Sequence, residues 1–514
     1  MSTALPSPPA SPNPKGGSLR RNTLSVFGAV AMCMAFMGPA TSVAFNTPPA
    51  AAGAGYALPL AIVLAMVASL LVANTIAAFA RKLPAAGFAY TYNSHGFGKS
   101  GGFLSGWLLL LTYGMVGPML FAALGGYSHD FLDDRFDIRV PWQVMSLAFA
   151  AVVWGVNSLG VSSSARTALI FLVLEVGVLL GLAGVILGDG GDSGLSVAPF
   201  NPAESIDGFS GLGTGMLWGI LMFIGFESVA TLGEEARGAK RSIPLALFTA
   251  VAVIGTFYVL MAYSTSIGFG SAHGSDLAGD AAPLTTLVDR YWGVTWILAL
   301  TVIVSQFANV VSGSNAAVRV LFSMGREGVL PRFLGRTNER HVPQSAITAY
   351  LGFSLVFALA LGSGFGGDLG PLGVYGFAGT VLGLGMVIVY ILMSIAVIRF
   401  YLREHRGEFA LLRHGILPGA TVLLMLLPIY GQLWPVPEHP NNLVPYVIVG
   451  WMVLGAAYLV WAHRSRPEVL AAMGRVFENE PGADAADTTG ATDASTGASG
   501  AASTGVVSVP TGRT

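Results

Sequence analysis

Apolar runs of about 20 residues, the length that spans a bilayer as an α-helix, recur along the chain with short polar segments between them. Twelve such runs are predicted as helices: residues 24–47, 57–79, 102–126, 142–160, 166–188, 212–232, 243–268, 294–318, 344–362, 372–398, 416–433 and 443–462. Two of them carry a carboxylate in mid-run. Glu227 interrupts Trp218-Gly219-Ile220-Leu221-Met222-Phe223-Ile224-Gly225-Phe226-Glu227-Ser228-Val229-Ala230, and Glu175 interrupts Ile170–Leu180. An ionisable group at that depth costs about 2.5–3.5 kcal/mol on insertion scales and marks a polar pathway or a structural partner. Gly225 beside Glu227 frees backbone groups that lipid cannot satisfy. Both features make sense where a helix lines a cavity, and they point to solute transport.

Composition supports a membrane-embedded chain. Of 514 residues, 53% are hydrophobic and 10% charged, with a mean hydropathy of +0.67; soluble proteins average about 25% charged. A net charge of −1 argues against nucleic acid as a partner. Cys33 is the only cysteine, which excludes an intrachain disulfide and a thiolate metal cluster. No cofactor or metal is expected. The first run follows Pro- and Ser-rich sequence without a convincing cleavage site and reads as a retained helix.

Charge asymmetry orients the runs. With the N-terminus in the cytoplasm, 23 of the 26 basic residues fall on cytoplasmic segments, and only Arg135, Arg139 and Arg290 fall outside. That is the positive-inside pattern, and one missed or invented helix would destroy it. Two external loops are acidic, with Asp130, Asp133, Asp134 and Asp137 in one and Asp189, Asp192, Glu204 and Asp207 in the other. The chain is therefore expected to lie in the plasma membrane with both termini inside. Residues 1–21 are read as a disordered cytoplasmic segment, 22–465 as the transporter domain, and 466–514 as a mostly disordered cytoplasmic tail.

Two runs are interrupted at matching positions. The first contains Met37-Gly38-Pro39-Ala40-Thr41-Ser42 and the sixth Ile224-Gly225-Phe226-Glu227-Ser228. Taken singly, a proline kink and a packing glycine explain them. Five helices apart, at the starts of two similar units, they form the pair that signals a transporter site. Half-helix N-termini expose amide donors suited to a carboxylate, and half-helix C-termini expose carbonyls suited to an ammonium or a cation. A zwitterionic amino acid needs both.

Three segments carry a family resemblance. The first is Phe223–Thr231 followed by Glu234-Glu235-Ala236-Arg237 and Arg241-Ser242-Ile243-Pro244. The second is Ser314–Pro331, and the third is Leu83–Tyr92 leading into Gly101–Trp107. They resemble the amino acid–polyamine–organocation (APC) transporter superfamily over about residues 22–465. The resemblance implies an all-α membrane fold of twelve helices: a LeuT-like five-plus-five inverted repeat with helices 1 and 6 broken, plus two peripheral helices. It places the substrate between the breaks. The carboxylate would meet amides near Thr41, Ser42 and Val43; the amine would meet carbonyls near Met37, Leu221 and Ile224. Gly38 and Gly225 would shape the breaks, and Phe223 and Phe226 would pack on or gate the substrate side chain. Many members have Gly-x-Gly in the first break, where this chain has Gly38-Pro39-Ala40, so the register there is open by several residues. Arginine–agmatine exchangers of the superfamily carry tryptophan where this chain has Leu221, which argues against a guanidinium substrate.

Glu175 and Glu227 are the candidates for proton coupling. Some proton-coupled relatives carry a lysine on helix 5 at the offset of Glu175 from Asn157-Ser158-Leu159-Gly160. That amine stands where sodium-coupled relatives hold an ion, so a carboxylate there could be protonated or bind a cation. The structural alternatives are a buried acid paired within the bundle for Glu175 and a hydrogen bond holding the unwound loop for Glu227. Ser305, Asn309, Ser312 and Ser314 give helix 8 a polar stripe that serves either packing or ion ligation, and Tyr113 on helix 3 could reach the site. Glu234, Glu235, Arg237, Lys240 and Arg241 could form an inward gate with Arg319 and Arg326, or only a solvated cluster.

The resulting expectation is a secondary active permease for amino acids, with a proton or sodium as driving ion and lipid as its solvent. An exchanger or a polyamine carrier is the alternative. An enzyme is disfavoured because the eight histidines form no metal-binding spacing. A channel would favour a repeated filter segment, and no phosphate-binding Gly-x-x-x-x-Gly-Lys-Ser/Thr loop is present.

Overall fold

The computed structural model describes residues 26–83, 88–159, 161–231, 238–363 and 369–465, with the backbone alone over 161–168. The expectations for residues 1–21 and 466–514, for Pro84–Gly87, Gly160 and Glu234–Arg237 lie outside the described residues. The described residues are helical, and no β-strand occurs among them. In chain order the helices are α1 Val26–Met37, α2 Pro39–Ala54, α3 Leu58–Ala80, α4 Phe88–Phe97, α5 Lys99–Phe136 and α6 Trp142–Ser158. There follow α7 Val161–Asp189, α8 Gly208–Phe223, α9 Ser228–Thr231, α10 Ala239–Phe269, α11 Gly274–Gly279 and α12 Pro283–Tyr291. The last six are α13 Thr295–Arg326, α14 Gln344–Ser363, α15 Gly370–Glu404, α16 Leu417–Leu424, α17 Leu426–Leu433 and α18 Val444–Ser465. Ten segments of the described residues are long and apolar enough to cross a membrane.

The first and sixth apolar runs are each divided. Gly38 lies between α1 and α2 in the left-handed region at φ 52°, which a Cβ would penalise. Pro39 follows at the first helical position, where its missing donor is harmless. In the sixth run α8 ends at Phe223, Gly225 takes φ 125°, and helix resumes at Ser228. Met425 separates α16 from α17 in the eleventh run.

Several helices outrun their apolar cores. The third run was expected to end at 126, yet α5 continues to Phe136 and carries Asp130, Asp133 and Asp134. The eighth and tenth runs, the two expected to be longer than drawn, extend to Arg326 and Glu404. Apolar length reports the segment that lipid can hold. A helix continues into polar surroundings until a terminating residue, here Asp137 at φ 55°.

Small residues set the closest contacts. A Cβ on Gly211 would lie 2.2 Å from the Gly53 carbonyl, and one on Gly53 would lie 2.8 Å from the Gly211 carbonyl. Helices α2 and α8 therefore touch backbone to backbone, as small residues permit in membrane bundles. Helix α18 is tied to α5 by a reciprocal pair: Trp107 Nε1 donates to the Trp451 carbonyl at 2.9 Å, and Trp451 Nε1 to the Trp107 carbonyl at 2.7 Å. The indoles stack at 4.8 Å. The outward face of α18 carries exposed Val449, Val453, Leu454 and Val460, as expected of a helix solvated by lipid.

Candidate functional site

Residues beside both breaks line one cavity. It is lined by Phe36, Met37, Ser42, Asn46, Val116, Met119, Leu221, Ile224, Asn309, Tyr375 and Leu382. It encloses about 20 Å³, room for roughly one water molecule. No ionisable carboxylate, amine or guanidinium is among the lining residues. One wall is aliphatic, and Ser42, Asn46, Asn309 and Tyr375 supply the polar groups.

At the first break the backbone is engaged by the rest of the chain. Ala40 N donates to Glu175 Oε2 at 3.0 Å, joining residues 135 apart. Thr41 N and Thr41 Oγ1 both donate to Ser305 Oγ, at 3.0 and 3.1 Å. Ser42 N donates to the Gly38 carbonyl at 2.7 Å. On the other side of the break, the Met37 carbonyl accepts from Ser42 Oγ at 2.6 Å and from Tyr258 OH at 3.0 Å. Glu175 is fully buried, Ser305 stands beside it, and its Oε1 has no hydrogen-bond partner among the described residues. A carboxylate at the start of α2 is held by the amide and by the positive end of the half-helix.

The second break is organised by its own acid. Glu227 is fully buried; its Oε2 accepts from Gly225 N at 2.9 Å and its Oε1 from Tyr113 OH at 2.9 Å. Tyr390 stands beside the carboxylate. The Phe226 carbonyl accepts from Cys33 Sγ at 3.2 Å, tying the break to α1. Ile224 N makes a bifurcated bond to the Ile220 and Leu221 carbonyls.

The sequence-predicted residues separate into groups. Met37, Ser42, Leu221 and Ile224 line the cavity. Gly38 and Gly225 shape the breaks, and Thr41 binds Ser305. Val43 is buried and absent from the lining. Phe223 packs edge-on against Tyr258 at 5.4 Å, and Phe226 lies 6.1 Å from Tyr390; neither lines the cavity. In the polar stripe of α13, Asn309 lines the cavity, Ser305 meets Thr41, and Ser314 accepts from Asn157 at 2.7 Å. Asn46, Tyr258, Tyr375 and Tyr390 escaped sequence reading because one polar group in an apolar run has many possible neighbours. So did Glu327, which accepts a buried hydrogen bond from Tyr90.

Gly38 gives a direct test of the first break. A Cβ there would fall 2.2 Å from Asn309 Nδ2 and would require φ 52°. Gly38→Ala is expected to destabilise the protein by about 1–3 kcal/mol, read as a lower melting temperature of the purified protein. An unchanged melting temperature would show that the junction of α1 and α2 is not constrained as described.

Residues 23–454 match the family model described as amino acid permease. The branched-chain amino acid permease BcaP of Lactococcus lactis is 23% identical over 420 residues, covering 77% of this chain and 84% of that protein. The low-affinity putrescine importer PlaP of Escherichia coli K12 is 26% identical over 460 residues, covering 87% and 94%. The L-asparagine permease of Streptomyces coelicolor is 24% identical over 438 residues, covering 80% and 86%. With its many apolar helices, the chain is a multi-pass membrane protein that belongs to the amino acid permease family of the APC superfamily.

Proposed function

We propose that the protein is a secondary active transporter that carries an amino acid across the plasma membrane by alternating access, driven by protons. The observation that carries this reading is the pair of helix breaks beside one cavity, each with a buried acid bound to its backbone. Broken helices around a central cavity are the transporter arrangement. An acid that can gain or lose a proton at each break would link protonation to the shape of the site.

A twelve-helix arrangement is supported by two features of the helix order. The 55-residue segment Val26–Ala80 contains α1 to α3 and is long enough for two crossings of a ~30 Å core. Helix α6, at 17 residues, is near the length of one. The five-plus-five repeat would then relate α1–α7 to α8–α15, with α16–α18 peripheral, within a transporter domain of residues 22–465. Both termini would be cytoplasmic by the positive-inside pattern.

Reconstituted in liposomes, the protein should accumulate an amino acid faster under an inward proton gradient. Uptake that ignores pH and follows a sodium gradient would overturn proton coupling. Accumulation of putrescine in preference to any amino acid would favour amine carriage, the activity named for one relative.

A further inference from the structure

The connection between α15 and α16 carries a buried histidine that the transport reading does not use. A short 3₁₀ turn, Arg406–Glu408, is followed there by one π-helical turn, Leu411–Ile416. π turns are rare and are frequent at functional positions. Ala410 stands at the start of the π turn, and its amide donates to His414 Nδ1 at 3.1 Å. An amide at a helix start has no partner within the helix, and a glutamate or glutamine ordinarily reaches back to it. Here the group that reaches back is an imidazole, which titrates between about pH 5 and 8.

The ring sits in a strap that ties this connection to α3. His414 is 5% exposed and stacks on Tyr401 at 3.6 Å. Tyr401 OH donates to the Ala78 carbonyl at 3.0 Å, Asn74 Nδ2 to the Arg413 carbonyl at 2.8 Å, and Lys82 Nζ to Glu408 Oε1 at 2.7 Å. Helix α3 in turn backs the second broken run. A Cβ on Gly219 of α8 would lie 2.8 Å from Ala65 Cβ, and one on Gly255 of α10 would lie 2.8 Å from Met66 Cγ.

An imidazole that accepts at Nδ1 is neutral. Protonation places a hydrogen on Nδ1, and two donors then face each other. Arg81 beyond α3 and Arg413 beside the ring oppose the added charge. Glu408 favours it, but Lys82 already pairs with that carboxylate. His405, at the end of α15 and 5.8 Å from the Tyr401 ring, is a second titratable ring on the same strap.

We infer that His414 is a pH-sensitive latch on the face that the positive-inside pattern makes cytoplasmic. Neutral, it holds the connection between α15 and α16 against α3; protonated, it releases the π turn and slows transport. An acid cytoplasm thereby restrains an import that itself carries protons inward. The control of transport rests on the transporter reading above; the latch itself does not.

The test compares wild type with His414→Gln, whose side-chain carbonyl can serve Ala410 N and does not titrate. Amide hydrogen exchange at Ala410 is read in both proteins at about pH 7.5 and about pH 5.5, on either side of the ordinary histidine midpoint. Comparison at one pH cancels the intrinsic pH dependence of exchange. The two proteins should match at the higher pH, and wild type should exchange about tenfold faster at the lower, the scale of one hydrogen bond. Counterflow of an amino acid in liposomes, at equal pH inside and out, should fall further in wild type than in the variant on acidification, since Glu175 and Glu227 are common to both. Glu408→Gln, at an exposed position, keeps the test open should the first variant fail to fold. It removes a carboxylate that favours the charged ring, so the rise in Ala410 exchange should move to more acid pH. Equal pH dependence of Ala410 exchange in wild type and His414→Gln, or an unmoved rise in Glu408→Gln, would overturn the latch. Equal pH dependence of counterflow would overturn its control of transport. Absence of counterflow for every amino acid would overturn the transporter reading, while exchange at Ala410 would still decide the latch.

Discussion

Glu175→Gln protein in liposomes is expected to lose gradient-driven accumulation by about tenfold or more, the scale of a hydrogen bond to a charged group, roughly 1.5–3 kcal/mol. Exchange of substrate across the bilayer, which needs no net proton movement, should fall far less. The carboxylate accepts from Ala40 N at the start of α2, and its second oxygen has no hydrogen-bond partner among the described residues. Ionised, it is matched to the positive end of the half-helix. Protonated, that attraction is gone, and the hydroxyl needs an acceptor instead. A proton gained or lost there would change what holds the first break, a few residues from Ser42 and Asn46 in the cavity wall. Glutamine keeps the size and an oxygen for Ala40 but cannot make the change. Accumulation that still follows the proton gradient in the variant would assign the coupling elsewhere, with Glu227 the next candidate.

The largest loss of stability is expected at Glu227. Replacement by alanine leaves Gly225 N and Tyr113 OH without their acceptor in a site closed to water. Each donor left unsatisfied costs roughly 1–3 kcal/mol, and removal of the side chain adds a cavity. Glu227→Ala should melt well below wild type or fail to accumulate in the membrane. Glu227→Gln keeps an oxygen for one of the two donors and should fold. Its transport should nevertheless be strongly impaired, because the break loses a group that can exchange a proton. A normal melting temperature for Glu227→Ala would deny the carboxylate its place in holding the break. Loss of folding in Glu227→Gln to the same degree would make that place purely structural.

Much of this site is written in local sequence. Gly38-Pro39 and Gly225 interrupt their runs by backbone geometry alone, which needs no tertiary partner to be read. The acids are conspicuous because apolar runs make any carboxylate an outlier. The resemblance carried by Phe223–Thr231 and Ser314–Pro331 agrees with the family match over residues 23–454. The end of α5 was less legible, since its last turns are polar and lie beyond the apolar core.

The sequence by itself determined the class of solvent, the apolar segments, the two breaks and the acids beside them. These follow from hydrophobicity and backbone restriction, which are properties of neighbouring residues. The tertiary structure alone decided which amides and carbonyls are already taken. Glu175 reaches Ala40 across 135 residues and Tyr375 reaches Asn46 across 329. It also decided that Phe223 and Phe226 pack against tyrosines and stay out of the cavity lining. Hydrogen-bond pairing depends on which helix faces are brought together, and the rotation of one helix against another is fixed by packing across the whole bundle.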